Sequence, residues 1–120
     1  MDDHDVVRQG VRHILESQND WEVVGEATNG EEALRLTNEL KPHAIVMDIA
    51  MPVMSGIEAT SEIVRTNPES KVLIFTMHES ASLVSPIRRA GAKGLLAKSK
   101  ASSELTPALR AIIAGQTYFH

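Results

Sequence analysis

The sequence has no cysteine, only four aromatic residues and no long apolar run among its 120 residues. Without cysteine, the chain has no disulfide bonds, thiol nucleophiles or thiolate metal sites, which fits a reducing compartment and favours a cytoplasmic location. The aromatic residues are too scattered to form a platform that stacks nucleic-acid bases. No stretch approaches the roughly 20 apolar residues of a membrane span, and no signal peptide is visible. We therefore expect no association with a membrane.

The net charge is −4, from 16 acidic and 12 basic residues. Proteins that bind nucleic acids present clustered lysine and arginine, because these side chains replace counterions at the phosphates. We therefore expect no direct contact between this chain and nucleic acid. The length of 120 residues suits one domain with a single core, and the sequence contains no internal repeat.

Helical and extended patterns alternate along the chain. Apolar residues recur at helical spacing in five segments, while four shorter segments are continuously apolar or alternate with polar residues, as strands do. The predicted helices cover residues 5–17, 30–41, 56–66, 81–90 and about 102–114, and the predicted strands cover residues 21–28, 44–48, 72–75 and 94–97. This alternation predicts an α/β fold in which helices cover both faces of a parallel sheet.

Polar residues stand at the ends of three predicted strands: Asp48, Thr76 and Lys98. Parallel strands end at one edge of a sheet, where ligands bind in open α/β folds. Each residue also has a simpler interpretation, with Asp48 capping the next turn, Thr76 merely ending its strand and Lys98 solvated at the surface. Asp48 alone favours the simpler interpretation. Three polar strand ends, together with the acidic pair Asp2 and Asp3 ahead of the first helix, favour a functional site.

Three motifs point to a known family. Asp-Asp-His stands at 2–4, Met-Asp-Ile-Ala-Met-Pro-Val-Met-Ser-Gly at 47–56, and Gly-Leu-Leu-Ala-Lys at 94–98. With these motifs the chain resembles the receiver domain of two-component response regulators, and its opening resembles the NarL/FixJ (LuxR-type) subfamily. The resemblance implies a flavodoxin-like, CheY-like doubly wound parallel sheet with helices on both faces, in the strand order 2-1-3-4-5.

The resemblance also implies a strand that this sequence lacks. Receiver domains begin with a central strand whose end carries the acidic pair, but only Met1 precedes Asp2 here. We therefore expect the first strand to be missing. We expect the gap to be closed by rearranged strand pairing or by elements exchanged in a dimer. In this interpretation residues 1–115 form the receiver domain, and residues 116–120 begin a linker to an absent output domain.

The same resemblance assigns chemical roles to the polar residues. Asp48 is the implied phosphoacceptor, Lys98 neutralises the phosphoryl oxygens, and the Thr76 hydroxyl donates a hydrogen bond to one of them. The implied cofactor is magnesium, which takes oxygen ligands and commonly combines carboxylates with a phosphate. Its implied ligands are Asp2, mainly through water, Asp3, Asp48 and the backbone carbonyl of Ala50.

One position departs from the family pattern. Receiver domains pass on their phosphate state by moving the threonine and an aromatic side chain three residues before the lysine. In this chain the aromatic position is Leu95. Rotation of an aromatic ring at that position therefore cannot be the readout.

The resemblance further implies three partners: a sensor histidine kinase, an output DNA-binding domain outside this chain, and a second copy in a homodimer. The chain itself is expected to be a regulatory domain rather than an enzyme, limited to self-phosphorylation and autodephosphorylation. Two alternatives stay open. One is a pseudo-receiver, which binds proteins without turning over phosphate. The other is an aspartate-nucleophile phosphohydrolase of the haloacid dehalogenase type, which generally has a second aspartate where this chain has Ala50.

Overall fold

The computed structural model describes residues 5–48, 54–77 and 81–119, and it contains a parallel sheet flanked by helices. The strands are hydrogen-bonded in the order β1 (Ala44–Asp48), β2 (Lys71–Thr76) and β3 (Gly94–Ala97). The helices are α1 (Asp5–Glu16), α2 (Gly30–Leu40), α3 (Gly56–Thr66), α4 (Ala81–Ala90) and α5 (Ala101–Ile113). A 3-10 turn, Lys98–Lys100, joins β3 to α5. The predicted α/β architecture is confirmed.

Both faces of the sheet are covered, as predicted. Side chains alternate along each strand, so one set of strand residues packs under α2, α3 and α4 while the other set packs under α1 and α5. On β2, for example, Val72 and Ile74 belong to the first cluster, and Leu73 and Phe75 belong to the second. Burial on both faces explains why the strand sequences are continuously apolar.

Polar side chains fix where two of the helices begin. Asn29 caps α2 by accepting a hydrogen bond from the Glu32 backbone N–H, and Ser55 caps α3 by accepting one from the Glu58 backbone N–H. These bonds satisfy amide donors that have no partner inside a helix. Among the described residues, no helix has both the length and the apolar character needed to cross a membrane.

Residues 21–28 do not form a strand, so the prediction of a strand there is wrong. The burial does alternate at first: Trp21 and Val23 are half-buried, and Glu22 and Val24 are exposed. A strand, however, also needs a neighbour to which its backbone can hydrogen-bond. Among the described residues, β1 has a strand partner only on its β2 side. The sequence pattern therefore indicated which side chains face inward but not whether the backbone is paired.

An open groove lies between residues 20–25 and the start of β1. Its volume is about 570 Å³, and its lining includes Val24, Leu40 and Ile113, three large apolar residues that are 43% to 48% exposed. Among the described residues the strands pair only in the order β1-β2-β3, so the rearranged strand pairing that was one of the two expectations is not found there. Exchange of elements in a dimer stays a prediction, because the structure contains one chain.

Candidate functional site

The three strand-end residues predicted from the sequence lie at the same edge of the sheet. Asp48 is the last residue of β1, Thr76 is the last residue of β2, and Lys98 directly follows β3. Asp48 is in register with Phe75, the residue before Thr76, while Thr76 is in register with Ala97, the residue before Lys98. The parallel register therefore brings the three functional groups to the carboxyl ends of adjacent strands.

Asp48 and Lys98 form a buried ion pair. The Lys98 Nζ lies 3.3 Å from the Asp48 Oδ1, and the two side chains are 10% and 2% exposed. An ionised carboxylate with so little access to water needs a cation or hydrogen-bond donors to offset its desolvation. The geometry thus excludes the interpretation of Lys98 as a solvated surface lysine. The ion pair places an anionic oxygen beside an ammonium group at the carboxyl edge of the sheet.

The local sequence explains why Lys98 reaches inward. All four residues of β3 are buried, because the strand packs against helices on both faces of the sheet. The 3-10 turn begins directly after β3, at Lys98. The exposed Lys93 and Lys100, by contrast, lie before β3 and at the end of that turn. Position at the strand end therefore separates Lys98 from the nearby lysines.

Thr76 is the third member of the site. It is 4% exposed, although it carries a hydroxyl group at the end of a strand. Buried hydroxyl groups are normally held by hydrogen bonds, which fixes their direction. It ends β2, the strand that lies between β1, which carries Asp48, and β3, which leads to Lys98.

Most of the predicted magnesium ligands cannot be placed. Asp2, Asp3 and Ala50 lie outside the described residues, so their assignment stays a prediction. Asp48 is described, and a buried carboxylate oxygen is the kind of ligand that magnesium takes. Within residues 5–48, 54–77 and 81–119, no group of three or more His, Cys, Asp or Glu residues could hold a metal ion. A site at Asp48 therefore needs further oxygen ligands beyond those the described residues supply.

Sequence reasoning missed one feature of the fold, the packing of the chain after α5. Residues 116–120 were predicted to begin a linker. Within the described residues 116–119, Tyr118 pairs with the edge of β3 and Phe119 packs against the core. The available signal was the adjacent aromatic pair, which is unusual in a solvated linker. The sequence alone does not show which surface such a pair contacts.

Comparison with known proteins identifies the family. The family model for the response regulator receiver domain matches residues 1–110. The chain belongs to this family. The receiver domain is 40% identical over 118 residues to the response regulator GacA from Pseudomonas protegens, a match that covers 98% of this chain and 55% of that protein. It thus spans about half the length of that curated relative.

Solved structures share the fold of this receiver domain. A two-component response regulator of the LuxR family from Aurantimonas sp. SI85-9A1 is 40% identical with a TM-score of 0.92, covering 98% of this chain and 84% of that chain. The isolated REC domain of RcsB from Salmonella enterica serovar Typhimurium, solved with the phosphomimetic BeF3−, is 27% identical with a TM-score of 0.88, covering 99% and 88%. The predicted flavodoxin-like fold and LuxR-type subfamily are confirmed.

Proposed function

We propose that this receiver domain accepts a phosphoryl group on Asp48 from the phosphohistidine of a sensor histidine kinase. The observation that supports this proposal best is the buried pair of Asp48 and Lys98, 3.3 Å apart at the carboxyl edge of the sheet. A structural ion pair at the surface would be exposed and of little energetic value. A buried nucleophile beside a buried cation instead suits a reaction that brings negative charge into the site.

The described residues fit the chemistry of phosphoryl transfer. An Asp48 carboxylate oxygen attacks the phosphorus atom in line, the new O–P bond forms, and the bond from phosphorus to the histidine nitrogen breaks. Negative charge is then spread over the phosphoryl oxygens, which the Lys98 ammonium stabilises and to which the Thr76 hydroxyl donates a hydrogen bond. The protein thus contributes a nucleophile, a cation and a donor, all positioned by three adjacent strand ends.

Magnesium is the proposed cofactor. Asp48, Asp3, Asp2 through water, and the Ala50 carbonyl would hold it, which matches the preference of magnesium for oxygen ligands. When bound, magnesium supplies positive charge to the phosphoryl oxygens. Lys98 also supplies positive charge to the phosphoryl oxygens, but it is not a metal ligand, because an ammonium group has no lone pair to offer a cation. Removal of Lys98 is therefore expected to spare metal binding and to weaken phosphorylation.

The proposed output lies outside this chain. We propose that phosphorylation changes a surface that contacts a DNA-binding output domain, and that a homodimer forms in response, because paired output domains suit a two-fold DNA site. Sedimentation velocity with and without beryllofluoride tests the dimer. A monomer under both conditions would contradict the coupling of dimer formation to Asp48.

A magnesium and beryllofluoride titration tests the proposed function. Beryllofluoride is the phosphomimetic named for the RcsB structure. In the wild-type domain with magnesium present, the backbone amide NMR signals of Thr76 and Lys98 are expected to shift when beryllofluoride is added, whereas beryllofluoride without magnesium should not shift them. Asp48→Asn, which keeps the size of the side chain, is the matched control and should not respond. A wild-type domain that does not respond would support the pseudo-receiver alternative instead.

A further inference from the structure

The residues after α5 extend the sheet as a short strap, defined here as residues 116–119. The Tyr118 backbone N–H donates to the Lys93 carbonyl at 2.8 Å, and the Leu95 backbone N–H donates to the Tyr118 carbonyl at 3.0 Å. Tyr118 is thereby paired with Gly94 in the parallel direction. The strap therefore occupies the outer edge of β3, the side that faces away from β2.

The strap side chains connect this edge to two helices. The Tyr118 hydroxyl donates to the Glu104 carboxylate of α5 at 2.7 Å. The Arg88 guanidinium of α4 lies 4.3 Å from the centre of the Phe119 ring. The two aromatic residues pack against opposite clusters of the core, as alternating residues of a strand do. The strap thus contacts α4, β3 and α5 together.

Gly94 makes this close approach sterically feasible. A Cβ atom at Gly94 would lie 3.2 Å from both the Tyr118 Cβ and the Tyr118 carbonyl oxygen, and 2.7 Å from the Leu73 Cδ1. A larger residue would therefore press the strap away from β3 as well as crowd β2. The backbone of the strap can lie against this strand because position 94 has no side chain.

β3 also connects the strap to the site. The strand ends directly before Lys98, and Lys98 contacts the carboxylate of Asp48. Leu95 lies three residues before Lys98, is buried, and donates the backbone bond that holds the strap. The strap therefore places Tyr118 and Phe119 beside the position at which this chain lacks an aromatic residue.

We propose that the strap is the mobile readout of the site, docked on β3 when Asp48 is unmodified and released when Asp48 is phosphorylated. This inference rests on the proposed phosphoacceptor function. A phosphoryl group on Asp48 moves the negative charge outward, so Lys98 and the end of β3 follow it to a new position. The strap contacts include two backbone hydrogen bonds, one with Leu95 of β3 and one with Lys93 directly before it, so a small displacement of β3 releases the strap.

Amide hydrogen exchange followed by NMR tests the release. The amides of Tyr118 and Leu95 report the strap, whereas the Lys93 amide donates to Val72 on β2 at 2.9 Å and serves as an internal control. On addition of magnesium and beryllofluoride, exchange at Tyr118 and Leu95 should accelerate by about tenfold, as expected when a locally ordered segment opens. Exchange at Lys93 should stay within about twofold, because its bond lies inside the sheet.

Two variants test whether the strap contacts hold the docked state. Tyr118→Phe removes only the hydroxyl, so without beryllofluoride it should accelerate exchange at Tyr118 and Leu95 by about fivefold, the effect of one lost hydrogen bond. Glu104→Gln keeps an acceptor and should have a smaller effect. Equal exchange in wild type and Tyr118→Phe would overturn the proposed role of these contacts.

The outcomes separate the two proposals. Shifts at Thr76 and Lys98 with faster exchange at Tyr118 and Leu95 would support the strap. The same shifts with unchanged or slower exchange at the strap would overturn it and leave the phosphoacceptor function in place. If the signals of Thr76 and Lys98 do not shift, the result would contradict the phosphoacceptor function and also the strap proposal, which depends on it.

Discussion

At the scale of single residues, the site depends on a charge that the protein keeps away from water. Asp48 is 2% exposed, so its ionised form depends on Lys98 and on whatever cation the site holds. The sequence showed Asp48 at the end of an apolar run, and burial at that position followed from the run itself. The sequence did not show the distance to Lys98, because this distance depends on how β1, β2 and β3 are aligned.

Lys98→Ala should lower the free energy of unfolding by about 3 kcal/mol, because it leaves the buried Asp48 carboxylate without its ammonium partner. Urea unfolding at neutral pH measures the change. In an Asp48→Asn background the same substitution should cost about 1 kcal/mol or less, since no buried charge is left unpaired.

Lys93→Ala is the matched control, because Lys93 is exposed and lies before β3, at the opposite end of that strand from Lys98. It should change the free energy of unfolding by no more than about 0.5 kcal/mol. Equal losses for Lys98→Ala in the wild-type and Asp48→Asn backgrounds would contradict a direct interaction between the two residues.

The predicted magnesium ligands can be ranked by substitution. Asp3→Ala should weaken magnesium binding more than Asp2→Ala, because the first removes a direct ligand and the second a contact made through water. Isothermal titration calorimetry of both variants measures the two dissociation constants. Lys98→Ala should leave the constant nearly unchanged. Equal losses for Asp2→Ala and Asp3→Ala would refute the ligand assignment.

At the scale of elements, α5 also anchors the segment that leads into the groove. Arg110 on α5 donates to both carboxylate oxygens of Asp20, at 3.1 and 3.2 Å, and its guanidinium lies 4.6 Å from the centre of the Trp21 ring. Residues 20 and 21 are therefore held by a side chain rather than by strand pairing. This contact joins positions 90 residues apart in the chain, which local patterns do not reveal.

The Arg110 contact affects the pKa of Asp20 and therefore the pH dependence of stability. The hydrogen bond from Arg110 lowers the pKa of Asp20 below its ordinary value of 3.8. A group with a lowered folded-state pKa contributes stability above its ordinary pKa, and that contribution is lost as the pH falls through the lowered pKa. Arg110→Met should therefore raise the pKa of Asp20 back towards 3.8, as measured by NMR titration of its carboxyl group.

Arg35→Met is a suitable control for that titration. It breaks another exposed ion pair, in which Arg35 lies 3.3 Å from Glu39 on α2, without contacting Asp20. The pKa of Asp20 should not change in this variant. An Asp20 pKa that is the same in wild type and Arg110→Met would show that Arg110 is not the cause of the shift.

The elements differ in how well the sequence predicted them. β1 and β3 were predicted with the bounds that the structure has, because burial on both faces produces a continuous apolar run between breaking residues. The prediction of a strand at residues 21–28 was wrong because alternation of apolar and polar residues indicates burial, whereas a strand also requires a hydrogen-bonded neighbour. The packing of residues 116–119 was missed for a related reason: Tyr118 and Phe119 gave a hydrophobic signal, but their partners on β3 and α4 are set by the tertiary fold.

At the scale of the whole molecule, the groove beside β1 leaves apolar surface uncovered at the edge of the sheet. Three large apolar side chains that line it are nearly half exposed, and its volume of about 570 Å³ lies next to the β1 edge of the sheet. An apolar strand inserted there would bury these side chains and its own. Since burial of one large aliphatic side chain contributes roughly 1.5 to 3 kcal/mol, the gain is comparable with the stability of a small domain.

A chain extended with five alternating valine and isoleucine residues between Met1 and Asp2 should therefore be more stable. We expect a rise of about 5 kcal/mol in the free energy of unfolding, from burial of three large side chains. Urea unfolding measures it, and an extension of five serine and asparagine residues is the matched control. Equal stabilities of the two extended chains would contradict the interpretation of the groove as a place for an apolar strand.

The central claim is that Asp48 accepts the phosphoryl group. The most direct measurement is intact-mass spectrometry with peptide mapping after incubation with acetyl phosphate and magnesium. We predict that the wild-type chain gains one phosphoryl group, that the modified peptide contains Asp48, and that Asp48→Asn gains none. Modification that persists in Asp48→Asn, or a wild-type chain that stays unmodified, would contradict the claim.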